Sequence, residues 1–234
     1  MTVDEDHPVK DLDALLDALD YRVHIPNDLV FLRGMVADTL AHAAPWENIH
    51  DKLIIDATTT PDNDPHSGQP SQPGCPDSLE ISASAVRGVI QARMLRSSML
   101  VVTTNIEGGP KPESRMEEVS EEGAARQREI IGGICDAIWS LEAAQNLRWL
   151  FITDDDVYLA SEEWRRRLLW QLFCRFDVGR DLHFDDSGGR LAWDATAPIP
   201  SSKGPLPVRR WPGVTLHDPK VAERVDAWLA EGGY

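Results

Sequence analysis

The chain has 234 residues, enough for one large domain with a substantial core, and its 42% apolar and 26% charged residues are typical of a globular protein. Its formal net charge of -16 argues against nucleic acids and anionic membranes as partners, because both are bound mainly through Lys and Arg. The N-terminal sequence lacks the basic and apolar regions of a signal peptide, and no apolar run approaches the roughly 18 residues of a membrane span. We therefore expect a cytoplasmic protein.

The first 60 residues predict a short acidic run, a helix and two strands. The acidic run is Asp4, Glu5 and Asp6. Leucines at positions 12, 15, 16 and 19 follow the i, i+3, i+4, i+7 spacing of an amphipathic helix, which Asp11 is placed to cap. A strand is predicted near residues 28–32, and KLIIDAT (52–58) predicts another strand that ends at Asp56.

A polar, turn-forming segment at 61–76 predicts a linker or a long surface loop. After it, MLVVTTN (99–105) is a continuous apolar and β-branched run of the kind that is buried in a parallel sheet. A helix follows, with an apolar stripe of Ile130, Ile134, Ile138 and Leu141. RWLFITDDD (148–156) then predicts a strand that stops at three aspartates.

Two further helices are predicted near the C-terminal end. Ser161 is placed to cap the first, with Glu162 and Glu163 in its first turn. Asp218 and Pro219 suit the start of the second and Gly232 its end, with an apolar face of Val221, Val225, Trp228 and Leu229. Strands that alternate with helices predict an α/β fold with a layered open sheet, mixed or parallel, flanked by helices.

One series of motifs occurs in both halves of the chain. Each copy runs from an acidic triplet through a helix to R-x5-D-L-x-F, and then to [KR]-L-x-x-D-A-T. The motif residues are Arg22, Asp28 and Asp56 in the first copy, and Arg175, Asp181 and Asp194 in the second. We therefore interpret residues 1–60 as a partial internal copy of an α/β domain at 77–234, with 61–76 joining them.

Ordered motifs across residues 130–234 resemble a known family. They are Ala137-Ile138-Trp139, the aspartates 154–156, Arg175 with Asp177, Arg180 with Asp181, Asp194-Ala195-Thr196 and Trp211-Pro212. This series resembles the C-terminal domain of UbiD-type carboxy-lyases, the prenylated-flavin-dependent decarboxylases. Residues 1–60 resemble a second, partial version of the same unit.

The resemblance implies a domain that mediates oligomer contacts and borders the active-site cleft of the family. No segment here matches the family's flavin-binding domain or its Glu-Arg-Glu catalytic set, so we expect no cofactor on this chain alone. Prenylated FMN and a divalent metal are implied on a larger UbiD-like catalytic subunit. We interpret the chain as an accessory or structural subunit of a hetero-oligomeric aromatic or unsaturated acid decarboxylase, with a homodimer as a further possible assembly.

The candidate site residues are charged motif residues and tryptophans. Arg22 with Asp28, and Arg175 with Asp181, are predicted to form ion pairs or loop hydrogen bonds, and Asp56 and Asp194 are predicted to bind backbone amides. The tryptophans are candidates for a docking face or for the core: Trp139, Trp164, Trp170, Trp193 and Trp211.

The aspartates Asp154, Asp155 and Asp156 allow two interpretations. As a strand end with a turn they are structural or lie at a subunit contact. A strand that ends in Asp-x-Asp also resembles the metal and nucleotide site of glycosyltransferases, so the alternative is a small metal-dependent nucleotide-sugar transferase that uses Asp154 and Asp156.

Two further sets of residues are candidates for a site. Asp181, His183 and Asp185 alternate on one strand as a possible metal trio, although a lone strand histidine is more often structural. Cys75, Cys135 and Cys174 lack C-x-x-C spacing and are interpreted as free structural thiols.

Overall fold

The computed structural model describes residues 1–36, 42–59, 74–106, 118–203, 206–211 and 218–230. Most of the predicted linker (61–73) and Gly232 lie outside these residues.

The N-terminal part forms a helix and a hairpin. Helix α1 (Leu12–Arg22) begins at Asp11, whose side chain accepts hydrogen bonds from the amides of Asp13 and Ala14, so the predicted cap is confirmed. Strands β1 (Leu29–Val36) and β2 (Ile49–Ile55) pair antiparallel. Thr2 forms a parallel bridge to Asp56, which places the acidic run beside the end of β2.

The second part forms a mixed five-stranded sheet with the order β3-β4-β5-β7-β6. Strands β4, β5 and β7 are parallel, and β3 and β6 are antiparallel edge strands. The predicted α/β fold with a mixed sheet is confirmed. The elements in chain order are α2 (Ser78–Ser84), β3 (Val89–Arg96), β4 (Met99–Thr104), α3 (Glu121–Trp139), β5 (Trp149–Asp154), α4 (Trp164–Arg175), β6 (Leu182–Phe184), β7 (Leu191–Asp194) and α5 (Pro219–Ala230).

Some local features differ from the sequence-based predictions. Helix α2 and strand β3 were not predicted. Strand β3 is an edge strand, and its sequence VIQARMLR mixes charged and apolar residues without clear alternation. The predicted Ser161 cap is wrong. The Ser161 hydroxyl donates to the carbonyl of Tyr158, and α4 begins at Trp164 without a side-chain cap.

Two apolar clusters cover the two faces of the sheet. On one face, β4 and β5 pack against α2 and α3 through Leu79, Leu100, Ile131, Ile138 and Ile152. On the other face, the same strands pack against α4 and the N-terminal part through Ala18, Val23, Met99, Phe151 and Leu168. The N-terminal part therefore shares its core with the large sheet. None of the helices in the described ranges has the length and apolar character needed to span a membrane.

A buried aspartate joins α1 to the turn between β3 and β4. Asp20 is 0% exposed and accepts hydrogen bonds from the Ser97 hydroxyl at 2.7 Å, from the Ser98 amide at 3.2 Å and from the Ser98 hydroxyl. The guanidinium of Arg148 lies 3.5 Å away. Because a buried carboxylate is tolerated only with such partners, this contact fixes the position of α1 on the sheet.

We predict that Asp20→Ala lowers the free energy of unfolding by about 3 kcal/mol, because it leaves buried donors and the nearby guanidinium without their acceptor. Urea denaturation measures this change. Asp17→Ala is the control, since Asp17 is on the same helix but its side chain is 53% exposed and its ion pair with Arg96 lies at the surface. Equal losses in the two variants would contradict the role given to Asp20.

Candidate functional site

Charged side chains converge at the carboxyl ends of two adjacent parallel strands. Asp154 is the last residue of β5 and Asp194 is the last residue of β7. The strands are paired in register, with Ile152 opposite Asp194. This is the edge of an open α/β sheet at which ligands most often bind.

Arg175 occupies the space between two of the predicted aspartates. Its Nη1 lies 3.0 Å from Asp154 Oδ2, and its Nη2 lies 3.2 Å from Asp156 Oδ2. Asp154 Oδ2 also accepts the amide of Ala197 at 2.7 Å. The side chains of Arg175 and Asp154 are only 3% and 1% exposed, so this is a buried, hydrogen-bonded ion pair.

Gln171 extends this network on the inner face of α4. Its Nε2 donates to Asp156 Oδ1 at 2.6 Å, and its Oε1 accepts the hydroxyl of Thr153. Gln171 stands four residues before Arg175, which puts both side chains on one face of the helix. Helical spacing could therefore have identified Gln171 from the sequence.

A second arginine neutralises the next carboxylate. Arg180 contacts both oxygens of Asp181, with Nε at 2.6 Å from Oδ1 and Nη2 at 2.7 Å from Oδ2. Asp181 Oδ2 also accepts the amide of Asp177 at 2.7 Å, which closes the loop after α4. Arg180 Nη1 donates to the carbonyl of Ala43 at 2.9 Å, so this loop is tied to the N-terminal part.

Asp194 accepts a backbone amide, as predicted, and also a hydroxyl. Its Oδ1 accepts the Thr196 amide at 2.9 Å and the Thr196 hydroxyl at 2.6 Å. Part of the residue stays accessible, but desolvation of the carboxyl and the charge of Asp181 raise the pKa of Asp194 to about 7. Desolvation also raises the pKa of Asp177 to about 6.

The N-terminal part contains a matching set of contacts. Arg22 Nη1 lies 2.9 Å from Asp4 Oδ2, and Asp28 Oδ2 accepts the amide of His24 at 2.6 Å. Asp56 accepts the Thr58 amide and hydroxyl at 3.0 and 2.8 Å.

The backbone contacts of the two sets also agree. The Asp56 amide donates to the carbonyl of Asp28 at 2.8 Å, as the Asp194 amide donates to that of Asp181 at 2.8 Å. The first set is more exposed, since the side chains of Arg22 and Asp4 are 33% and 25% accessible.

Of the two alternatives predicted for these residues, the ion pairs are not formed, whereas Asp28 and Asp181 do make loop hydrogen bonds. Arg22 pairs with Asp4 rather than Asp28, and Arg175 pairs with Asp154 and Asp156 rather than Asp181. In each half the arginine is the last residue of its helix and reaches back to the preceding acidic run, which contains Asp4 in the first half and Asp154 in the second. The aspartate of R-x5-D instead closes the following loop through a backbone amide.

The geometry does not support either metal hypothesis. Within the described part of the chain, no group of three or more His, Cys, Asp or Glu side chains is placed to hold a metal ion. Arg175 stands between Asp154 and Asp156, the positions proposed for a metal-dependent transferase. In the predicted trio, Asp185 instead binds Arg190 and Ser187, and Asp181 binds Arg180.

The other candidate residues, an aspartate, two tryptophans and the cysteines, lie outside this ion-pair network. Asp155 is exposed and accepts the side-chain amide of Asn105 at 3.0 Å. Trp193 stacks on Phe176 with ring centroids 4.9 Å apart, and Trp211 lies 6.0 Å from the ring of His42. The cysteines are free thiols, and desolvation raises the pKa of Cys75 to about 11, which disfavours a thiolate nucleophile.

Comparison with protein families identifies the N-terminal part. Residues 1–57 match the model of the 3-octaprenyl-4-hydroxybenzoate carboxy-lyase C-terminal domain. The resemblance to UbiD-type carboxy-lyases is therefore confirmed, although the match lies in the first copy of the motifs and covers 57 of 234 residues.

Solved structures of UbiD-class decarboxylases are similar to this chain at low identity. Vanillic acid decarboxylase of Sedimentibacter hydroxybenzoicus in its open form has 15% identity and a TM-score of 0.38, over 65% of this chain and 31% of the other. HmfF from Pelotomaculum thermopropionicum, in complex with FMN, has 16% identity and a TM-score of 0.33, over 63% and 31%. This chain thus spans less than a third of the length of these solved structures.

We predict that Arg175→Met lowers the free energy of unfolding by about 3–5 kcal/mol, because it leaves two carboxylates at the end of β5 without their cation. The matched control is Arg22→Met, which removes the equivalent but more exposed ion pair and should cost far less. Urea denaturation of both variants tests this difference, and equal losses would show that burial of the pair is unimportant.

We predict that Asp194 makes the protein less stable as the pH rises from about 4 to about 7. The folded protein holds a proton that the unfolded chain releases in this range, so ionisation of Asp194 opposes folding. Carboxylates with lowered pKa values, such as Asp185, make the protein more stable as the pH rises. The effect of Asp194 is therefore measured by comparing the wild type with a variant that lacks this carboxyl.

Asp194→Asn keeps an acceptor for Thr196 and removes the titrating group. Its free energy of unfolding relative to that of the wild type should increase by about 3 kcal/mol between pH 4.5 and pH 7.5. Urea denaturation at both pH values gives this difference. If the free energy of unfolding changed equally with pH in the two proteins, the prediction would be contradicted.

Proposed function

We propose that this chain is an accessory subunit of a prenylated-FMN-dependent decarboxylase, in which it takes the place of the C-terminal domain of a larger catalytic partner. The observation that carries the proposal is the match of residues 1–57 to a carboxy-lyase C-terminal domain. The substrate class is an aromatic or unsaturated carboxylic acid, and the flavin and its divalent metal belong to the partner. The site of action is the cytoplasm.

The pairing of aspartates with arginines at the end of β5 and after α4 supports a non-catalytic role. Asp154 and Asp156 share Arg175, and Asp181 is held by Arg180, so these carboxylates are already paired within the chain. A group used for proton transfer or metal binding must be able to reach a substrate or an ion. Pairing of this kind instead stabilises the strand ends and the loop after α4.

We also infer that residues 77–234 carry a second copy of the unit that begins the chain. The support is the agreement of contacts at matching motif positions. In both halves the helix-terminal arginine binds an aspartate of the preceding acidic run, and the next motif aspartate accepts an amide in the following loop. The D-A-T aspartate accepts from the threonine of the same motif. A duplicated unit explains why the motifs recur in the same order.

Two purifications test the proposed function. From cells able to make prenylated FMN, the chain purified alone should show no stoichiometric flavin absorbance and no decarboxylation. Co-expressed with its UbiD-like catalytic subunit, it should co-elute as a hetero-oligomer and raise the decarboxylase activity. Flavin binding with turnover by the isolated chain would contradict the proposal, as would a catalytic subunit whose elution and activity are unchanged by this chain.

A further inference from the structure

One edge of strand β2 is largely unpaired within the described part of the chain. On the other edge lies β1, to which the Asp56 amide is directed through its hydrogen bond to the carbonyl of Asp28. Because successive amides of a strand alternate in direction, those of Leu53 and Ile55 point to the edge away from β1. On that edge the described residues supply one partner, Thr2, whose amide donates to the Ile55 carbonyl at 2.8 Å.

Strand β7 shows what lies at the same edge in the second half of the chain. It is antiparallel to β6, as β2 is to β1. The parallel bridge of Thr2 with Asp56 matches the parallel pair of Ile152 with Asp194, and Ile152 belongs to β5. Strand β5 therefore marks the position that a further strand would take beside β2.

The hydrogen bond that β5 makes to β7 has no counterpart at β2. The Leu191 amide donates to the carbonyl of Arg148 at 2.8 Å, directly before β5. Leu53 occupies the same position as Leu191 in the motif [KR]-L-x-x-D-A-T, and its amide has no backbone partner among the described residues. An unpaired strand edge of this kind is a template for another strand.

The face of the hairpin beside this edge is apolar and exposed. In the second half, Ala192 is 0% exposed and lies in the apolar cluster that α3 covers. Ile54 has the matching position in the motif but is 39% exposed, and its cross-strand neighbour Val30 is 48% exposed. The surface that a helix covers in the second half is thus accessible in the first.

The first residue of the motif adds charge complementarity to a helix end. Arg190 Nη1 donates to the carbonyl of Trp139, the last residue of α3, at 2.9 Å. Lys52 has the matching position, is exposed, and forms no ion pair within the described part of the chain. Because a cation is favourable beside the last carbonyls of a helix, Lys52 is suited to the C-terminal end of a helix from another chain.

We propose that β2 binds a helix–strand segment of the catalytic partner, with the strand parallel to β2 along Leu53 and Ile55. The helix of this segment covers Ile54 and ends beside Lys52. The added strand is apolar, since β5 is buried along its whole length. The inference rests on the proposed function for the identity of the partner, and it assigns the contact to one edge and one kind of segment.

Hydrogen-exchange mass spectrometry tests the added strand. The full chain is measured alone and in the purified complex with the UbiD-like catalytic subunit. The amides of Leu53 and Ile55 should exchange about tenfold or more slowly in the complex, because they become hydrogen-bonded. A complex with unchanged exchange along β2 would overturn this inference and leave the proposed function standing, whereas failure to form a complex would overturn both. Protection of β2 by a second copy of the chain would also overturn the inference.

Calorimetric titration of the catalytic subunit with variants tests the helix contact. Ile54→Asp should raise the dissociation constant about 30-fold or more, and Lys52→Glu about fivefold or more. The controls are Ile81→Asp, since Ile81 is 77% exposed on α2, and Lys10→Glu, since Lys10 is also exposed. Variants that weaken binding no more than their controls would overturn the helix contact.

A photoreactive benzoylphenylalanine in place of Ile54 identifies the segment that is bound. Mass spectrometry of the cross-linked complex should find it attached to a partner helix that directly precedes a strand. Attachment to any other element would overturn the inference.

Near-ultraviolet circular dichroism of each variant checks that the fold is kept. If Ile54→Asp or Lys52→Glu is unfolded, Ile54→Ser and Lys52→Gln replace them in the titration, with binding again expected to be weaker than for the controls.

Discussion

At the end of β5, a guanidinium group stands between two carboxylates, and much of the surrounding structure depends on it. Arg175 is the last residue of α4, so its position requires the helix to lie across the sheet with its inner face buried. Asp154, in turn, holds the backbone after β7 through the amide of Ala197. One buried ion pair therefore joins a helix, the end of a strand and the loop of the neighbouring strand.

This arrangement gives the acidic strand end a structural role. Carboxylates at the carboxyl edge of a parallel sheet are well placed for ligands, but these are occupied by arginines of the same chain. The N-terminal part has the same contacts in a more exposed setting and is attached through Asp20 and Arg180. This pairing supports the proposal that the chain acts as an accessory subunit.

The sequence predicted features that depend on local periodicity and missed those that depend on tertiary contacts. The stripe of α1, the Asp11 cap and the apolar runs of β4 and β5 were identified because spacing and composition determine them. The partner of Arg175 was not, because R-x5-D spacing does not reveal which carboxylate lies beside the end of the helix. Asp20 stands at the edge of the apolar stripe of α1, but an aspartate there is normally exposed, and its burial results from docking of the β3–β4 turn.

A crystal structure of the chain grown with manganese would test the structural role of the aspartates most directly. The account predicts that Arg175 lies between Asp154 and Asp156, and that no anomalous manganese peak occurs between these carboxylates. An anomalous peak bridging Asp154 and Asp156, with the Arg175 side chain displaced, would contradict it and would restore the metal-dependent interpretation of this strand end.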